Sequence, residues 1–128
     1  MKHSLITLIA AFLGSLLGCN AAEFKSVTPP EFQQVIADTA VQVLDSRTAE
    51  EYADGHIARA INIDVLKDDF ADIATKTLDA RRTVAVYCRS GRRSKKAARI
   101  LADKGYRVVE LDKGFIGWSE AKLPIVEQ

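Results

Sequence analysis

A cysteine stands among three arginines in residues 87–94, which read Y-C-R-S-G-R-R-S. A thiolate is a strong nucleophile, and nearby cations and the amides of a turn that leads into a helix favour the thiolate over the thiol. Gly91 allows the backbone to curl where a side chain would obstruct it. The segment therefore predicts either a sulfur nucleophile in an anion-binding loop or a buried thiol at the end of a strand.

The elements around this segment are those of an α/β fold. Short apolar segments alternate with segments of helical character, which predicts a parallel sheet of about five short strands with helices on both faces. The predicted strands are 23–27 (at an edge), 41–45, 60–63, 83–87 and 107–111. The predicted helices are 28–38, 48–55, 66–78, 94–104 and a short last one that opens at 116–118.

Several details support this assignment. Two capping boxes, Thr28 with Glu31 and Thr48 with Glu51, mark the starts of the first two helices. Segment 83–87 has no charged residue, as expected for a central strand that is covered on both faces. The 66–78 helix has apolar residues at helical spacing, namely Leu66, Phe70 and Ile73.

The predicted sheet also places the cysteine. Ligands of parallel α/β sheets bind at the carboxyl ends of the strands. Cys88 directly follows the central strand, and Asp45 ends another strand. Both side chains are therefore expected at the same edge of the sheet.

Length and charge limit the classes of function. The chain of 128 residues is sized for one domain. Its 18 Lys and Arg residues nearly balance 17 Asp and Glu residues, which argues against a general nucleic-acid-binding protein. No His or Cys cluster has the spacing of a metal site. We therefore expect no metal, no cofactor and no nucleic-acid partner.

The N-terminal segment predicts export. Lys2 precedes the uncharged, apolar stretch 5–17, which is typical of a secretory signal. The stretch is too short to span a bilayer as a helix, which needs about 20 apolar residues. The mature domain, 24–126, is therefore expected in the periplasm of a bacterium.

The end of this signal offers two cleavage sites. Residues 16–19, L-L-G-C, resemble a bacterial lipobox, in which the cysteine is lipidated and becomes the new N-terminus. This predicts a signal peptide of residues 1–18, cleavage after Gly18 and a membrane anchor on Cys19. Cleavage near Ala21 or Ala22 is the alternative, and it would leave a soluble periplasmic protein.

The cysteine count bears on whether Cys88 is a free thiol. The chain has two cysteines, so lipidation or removal of Cys19 leaves Cys88 as the only thiol and precludes an intramolecular disulfide. A Cys19–Cys88 disulfide is the structural alternative. An unpaired thiol in an oxidising compartment is a liability unless it is buried or used.

Four ordered segments, which with the spacing between them extend from about Lys25 to Pro124, resemble the single-domain rhodanese family of thiosulfate sulfurtransferases. They are V-L-D-S-R-T-A-E-E-Y (43–52), G-H-I-A-R-A-I-N-I (55–63), V-Y-C-R-S-G-R-R-S (86–94) and G-F-I-G-W (114–118). With the export signal, the chain is most similar to the small periplasmic rhodaneses of the phage-shock type.

The resemblance implies covalent catalysis by Cys88. Its thiolate would take the outer sulfur of a small anionic donor such as thiosulfate, form a persulfide and pass the sulfur to cyanide or a thiol. The resemblance also implies a substrate-binding loop made of Arg89, Ser90, Gly91, Arg92, Arg93 and Ser94.

Two other positions match the family. Asp45 and Arg47 fit its D-x-R signature, either as supporting site residues or as a structural ion pair. His56 is expected to be structural, with a hydrogen bond to the chain near Asp45 or Arg47. Lys95, next to the loop, is expected on a solvated helix face.

Three other functions are weighed against sulfur transfer. Related phosphatases and arsenate reductases have a C-x5-R loop, whereas Arg93 follows Cys88 after four residues, which fits a sulfur atom better than a phosphate group. A sulfur-carrier or thiol-redox module that acts with a partner protein remains open. So does a catalytically idle binding domain tethered to the membrane.

Overall fold

A five-stranded parallel sheet forms the centre of the protein in the computed structural model, which describes residues 23–127. The sheet order is β1-β5-β4-β2-β3, so β4 lies in the middle. This confirms the predicted fold class. The strands are β1 (Lys25–Val27), β2 (Gln42–Asp45), β3 (Ile61–Asn62), β4 (Val84–Tyr87) and β5 (Val108–Leu111). The predicted signal peptide (1–18), the lipidation site Cys19 and the alternative cleavage site lie outside the described residues.

Helices connect the strands and cover the sheet. Within the described residues they are α1 (Pro29–Ile36), α2 (Ala49–Asp54), α3 (Phe70–Thr77), α4 (Arg92–Asp103) and α5 (Gly114–Glu120). None of them is both long enough and apolar enough to cross a membrane. No cluster of His, Cys, Asp or Glu side chains within residues 23–127 is arranged to hold a metal ion.

Alternating residues of β4 supply both halves of the core. Val84 and Val86 pack into a cluster with residues of α3 and α4, such as Phe70 and Leu101. Ala85 and Tyr87 face the opposite side, where the apolar cluster is closed by side chains of α1 and α5, Phe32 and Trp118. A strand buried on both faces has no room for polar residues, which explains the uncharged sequence of β4.

Capping boxes fix the starts of the first two helices, as predicted. The Oε1 atom of Glu31 accepts a hydrogen bond from the Thr28 amide at 3.0 Å. The Oε1 atom of Glu51 accepts one from the Thr48 amide at 3.1 Å. In both boxes the threonine side chain accepts a bond from the glutamate amide in return.

Helix α3 is shorter than the helix predicted for residues 66–78. The Asp64 side chain accepts a hydrogen bond from the Leu66 amide at 2.9 Å, and such local bonds favour a turn over a helix. Leu66 is 60% exposed and Ile73 is 41% exposed. Of the three apolar residues at helical spacing, only Phe70 is buried in the core, and Leu66 lies outside the helix.

Candidate active site

The loop after β4 brings Cys88 to the carboxyl edge of the sheet, and α4 begins four residues later at Arg92. Gly91 makes the turn possible, because its φ of +103° lies in the left-handed region. A Cβ atom there would lie 2.1 Å from the Asp112 carbonyl oxygen. The packing of the loop against the end of β5 therefore requires glycine.

The Cys88 sulfur is held inside this loop. Its residue is 1% exposed and forms no disulfide within the described residues. The Gly91 amide donates to Sγ at 3.1 Å, and the thiol donates to the Ser94 Oγ at 3.3 Å. The sulfur thus lies at the N-terminal end of α4, where the helix dipole favours negative charge.

Helix α5 supports the loop from the other side. The Phe115 amide donates to the Cys88 carbonyl at 2.8 Å, and the Ile116 amide donates to the Arg89 carbonyl at 3.0 Å. Gly114 allows this approach, since a Cβ there would lie 2.4 Å from the Arg89 carbonyl oxygen. The backbone of the loop is therefore fixed by the first turn of a second helix.

Arg93 ties the loop to α2. Its two terminal nitrogens donate to Glu51 at 2.7 and 2.9 Å. These hydrogen bonds lower the pKa of Glu51 to about 2 and raise the pKa of Arg93. Arg93 is thus engaged with a carboxylate and holds two elements together.

The other loop residues predicted to bind substrate differ in their surroundings. Arg89, Ser90 and Arg92 are exposed, and neither of these two arginines has an ion pair within residues 23–127. A cavity of about 410 Å³ lies beside the loop. Its lining includes Arg89, Glu51 and Phe115. Two unpaired cations and a cavity are therefore available to an anionic ligand.

Asp45 and Arg47 form a buried ion pair at the neighbouring strand end. Asp45 is fully buried, and its Oδ2 accepts from Arg47 Nη2 at 2.7 Å and from the Tyr87 hydroxyl at 2.7 Å. Burial alone would lower the pKa of Arg47, but the bonds and charge of Asp45 raise it. Arg47 also lies 4.3 Å above the Phe115 ring. The pair contacts the residues that support the loop, rather than the sulfur.

Glu110, which is not among the predicted site residues, lies behind the sulfur. It is fully buried near the end of β5. Its Oε2 accepts from the Ser94 Oγ at 2.5 Å, its Oε1 accepts from the Ser26 Oγ at 2.6 Å, and Lys95 Nζ lies 3.3 Å from Oε1. The signal was present in the sequence, because a glutamate interrupts the apolar strand V-V-E-L.

Two other expectations need correction in detail. Lys95 is not on a solvated face, because it forms an ion pair with Asp112 at 2.8 Å in addition to its contact with Glu110. His56 is structural but does not bond to the chain at Asp45 or Arg47. Its Nδ1 lies 2.8 Å from the Tyr52 carbonyl oxygen, and its ring stacks on the Tyr52 ring.

Comparison with known proteins places this geometry in a family. Residues 28–121 match the model of the rhodanese-like domain. A sulfurtransferase of Allochromatium vinosum is 39% identical over 104 residues, which cover 80% of this chain and 94% of that protein. The thiosulfate sulfurtransferase PspE of Escherichia coli is 45% identical over 67 residues, which cover 52% of this chain and 64% of that protein.

A solved structure agrees with this assignment. The crystal structure of a rhodanese-related protein from Thermoplasma volcanium superimposes with a TM-score of 0.72 at 30% identity, covering 82% of this chain and all of that one. Both of these sequence relatives are sulfurtransferases, and the one from Allochromatium vinosum matches most of the described part of the chain. The protein therefore belongs to the rhodanese-like domain family and is a rhodanese-type sulfurtransferase.

Proposed function

We propose that the protein transfers sulfane sulfur from thiosulfate or a related anion to a thiol or cyanide, through a persulfide on Cys88. The observation that carries this proposal is the position of the Cys88 sulfur. It accepts the Gly91 amide at 3.1 Å and lies at the start of a 12-residue helix. These groups favour negative charge on sulfur, which is the form that attacks.

In the first step the Cys88 thiolate attacks the outer sulfur of the donor. A bond forms between Sγ and that sulfur, while the bond to the sulfite sulfur breaks and its electron pair leaves with sulfite. The unpaired cations Arg89 and Arg92 attract the anionic donor to the loop. The helix dipole stabilises the charge that stays on the persulfide.

In the second step the acceptor attacks the outer sulfur of the persulfide. Cys88 leaves as a thiolate, and the enzyme returns to its sulfur-free form without a cofactor. The ion pair of Arg93 with Glu51 and the two hydrogen bonds donated by backbone amides of α5 keep the loop fixed through both steps. A loop held in place pays little reorganisation cost when charge develops on sulfur.

A thiosulfate:cyanide assay with purified protein tests the proposal. Cys88→Ala should abolish transfer and leave the circular dichroism and thermal unfolding unchanged, since the side chains are similar in volume. Thr75→Ala, at an exposed position of α3 that does not line the cavity, serves as a control that retains transfer. Mass spectrometry should show one added sulfur on Cys88 after thiosulfate treatment. Turnover that survives in Cys88→Ala would reject the mechanism.

The same assays separate the alternative of a sulfur carrier that needs a partner protein. Such a carrier would acquire the persulfide but turn over poorly with small acceptors. We favour an enzyme for small molecules because a cavity of about 410 Å³ adjoins the loop and Arg89 lines it. Fast turnover with cyanide or a small thiol supports the enzyme, whereas persulfide formation without turnover supports the carrier.

We also propose that the protein is exported and anchored to the membrane through a lipid on Cys19. The support is the apolar segment 5–17, whose last two residues begin the L-L-G-C sequence of residues 16–19. Intact mass of the protein isolated from bacterial membranes should equal a chain that begins at Cys19 with a lipid attached. A chain that begins after Ala21 or Ala22 without lipid would favour the soluble periplasmic form, and a chain that keeps residues 1–18 would contradict export.

A further inference from the structure

Behind the nucleophile lies a chain of hydrogen bonds that the proposed sulfur transfer does not use. The Cys88 thiol donates to Ser94 Oγ at 3.3 Å, and Ser94 Oγ donates to Glu110 Oε2 at 2.5 Å. Cys88 is 1% exposed, whereas Ser94 and Glu110 are fully buried. Water therefore does not compete for the bond between Ser94 and Glu110.

Ser94 has one hydroxyl hydrogen, which can be donated to only one acceptor at a time. While Glu110 holds that hydrogen, Ser94 turns its oxygen lone pairs toward the Cys88 sulfur. This arrangement accepts a bond from a thiol and repels a thiolate. Ionised Cys88 is stabilised by Ser94 only after the hydroxyl has turned from Glu110 to the sulfur.

Glu110 can lose the hydrogen bond from Ser94 and still keep other partners. Its Oε1 accepts from Ser26 at 2.6 Å, and Lys95 Nζ lies 3.3 Å from the same oxygen. A buried carboxylate needs such partners, because burying an unpaired charge is costly. With Ser26 and Lys95 in place, the Ser94 hydroxyl can donate its hydrogen bond either to the carboxylate or to the sulfur.

We propose that Glu110 is a positioning residue that opposes ionisation of Cys88 by holding the hydroxyl hydrogen of Ser94. The inference rests on the proposed function in that Cys88 is the nucleophile. It adds that the carboxylate makes the thiolate harder to form, through the orientation of the Ser94 hydroxyl. Turning of the Ser94 hydroxyl to the sulfur accompanies formation of the attacking thiolate.

The other charged groups around the sulfur are accounted for. Arg93 on α4 is close enough to interact electrostatically with a charge on Cys88, but its guanidinium is bound by Glu51 of α2. Asp112, the first residue after β5, shares Lys95 with Glu110, and β1 contributes only the neutral Ser26 to this network. The charged groups of the loop and of the network are thus Arg89, Arg92, Arg93, Lys95, Glu110 and Asp112.

Glu110→Gln tests the proposal with nearly the same shape. The Gln oxygen should take the side of Ser26 and Lys95, because an amide NH2 beside an ammonium group is unfavourable. Its NH2 group then donates to Ser94, which directs the hydroxyl hydrogen to the sulfur. The measurement is the rate of alkylation by iodoacetamide, a neutral reagent, as a function of pH. The midpoint should move lower by about one pH unit, which corresponds to about 1.4 kcal/mol.

Asp112→Asn is the matched control. It removes a carboxylate that binds the same Lys95 at 2.8 Å but is 49% exposed and makes no bond to Ser94. Because exposed charges are screened by water and salt, its midpoint should move by less than about 0.3 pH unit. Equal shifts in Glu110→Gln and Asp112→Asn would overturn the proposal.

Ser94→Ala removes the hydroxyl that joins Glu110 to the sulfur. On its own it takes away both the acceptor of the thiol hydrogen and the donor that turns to the thiolate, so the two effects oppose each other. Its use is therefore as the background in which Glu110→Gln is measured again.

The double variant measures the route of the effect. Loss of the Glu110 charge also acts through space, and that part persists without Ser94. In the Ser94→Ala background, Glu110→Gln should therefore shift the midpoint by no more than half of its shift in the wild-type protein. Equal shifts in both backgrounds would show that Ser94 carries no coupling. Since alkylation reports the Cys88 thiol and needs no turnover, a failure of this proposal is distinguishable from a failure of the proposed sulfur transfer.

Discussion

The ion pair between Arg93 and Glu51 joins the cysteine loop to α2, and Glu51→Gln would test its contribution to stability. Glutamine retains the capping box with Thr48, because its side-chain oxygen can accept the same hydrogen bond from the Thr48 backbone amide. The substitution therefore removes the negative charge opposite Arg93 and leaves the helix start intact. Stability, rather than activity, is the quantity to measure.

The magnitude follows from the pKa of Glu51, which is lowered from 4.5 to about 2, chiefly by the hydrogen bonds from Arg93. At about 1.4 kcal/mol per pKa unit, the upper limit of the stabilisation is about 3 kcal/mol. The side chains of Arg93 and Glu51 are 21% and 25% exposed, so solvent screens part of this attraction. We expect a loss of about 1–2 kcal/mol at neutral pH.

The pH dependence has a definite sign. Because the folded protein holds the pKa of Glu51 below its unfolded value, the contribution is complete above pH 4.5 and declines as the pH falls toward about 2. Urea unfolding of the wild-type protein and Glu51→Gln at neutral pH and at about pH 3.5 would measure it. The difference between the two proteins should be clearly smaller at the lower pH.

The neighbouring residue Glu50 supplies the control, because it lies in the same first turn of α2 but forms no ion pair within residues 23–127. Glu50→Gln should cost less than about 0.5 kcal/mol. Equal losses for the two variants, or a Glu51→Gln loss that does not shrink at low pH, would refute the reasoning.

Two further substitutions test the packing around the sulfur. Gly91→Ala should unfold the loop and abolish transfer, because the added Cβ would lie 2.1 Å from the Asp112 carbonyl oxygen at a φ that is already unfavourable for alanine. Gly105→Ala is the control, because Gly105 has a φ of +95° but open space around it, and it should cost only about 1–2 kcal/mol of backbone strain. Equal losses of stability in thermal unfolding would contradict this reasoning. Tyr87→Phe removes a hydroxyl that donates to Asp45 at 2.7 Å and accepts from the Ile57 amide at 3.0 Å. It should cost about 1–3 kcal/mol in urea unfolding, and a neutral result would show that water replaces the hydroxyl.

Local signals in the sequence predicted most of the fold. The uncharged strand β4 and the capping boxes at Thr28 and Thr48 depend on residues that lie close together in the chain. For this reason they were assigned correctly. The start of α3 was not, because the apolar spacing of Leu66 and Ile73 continues through a turn that the Asp64 side chain stabilises. Periodicity shows which residues could share a face, but it does not show which of them the sheet covers.

The candidate site was predictable only where its residues are adjacent in sequence. Cys88 and its loop form one segment, whereas Glu110 is 16 residues from Ser94 and reaches it only because β5 lies beside β4. The role of Arg93 was hidden for a similar reason. Its carboxylate partner, Glu51, is 42 residues away.

The start of α4 is built in a way that weakens the helix. Its N-cap is Gly91, which supplies no side-chain bond, and its first turn has no acidic residue. Arg92, which has no ion pair within residues 23–127, instead adds positive charge where the helix dipole is already positive, which is unfavourable. A bound anion would supply the missing cap. Stability should therefore rise with the concentration of the sulfur donor, so that the substrate also acts as a folding ligand.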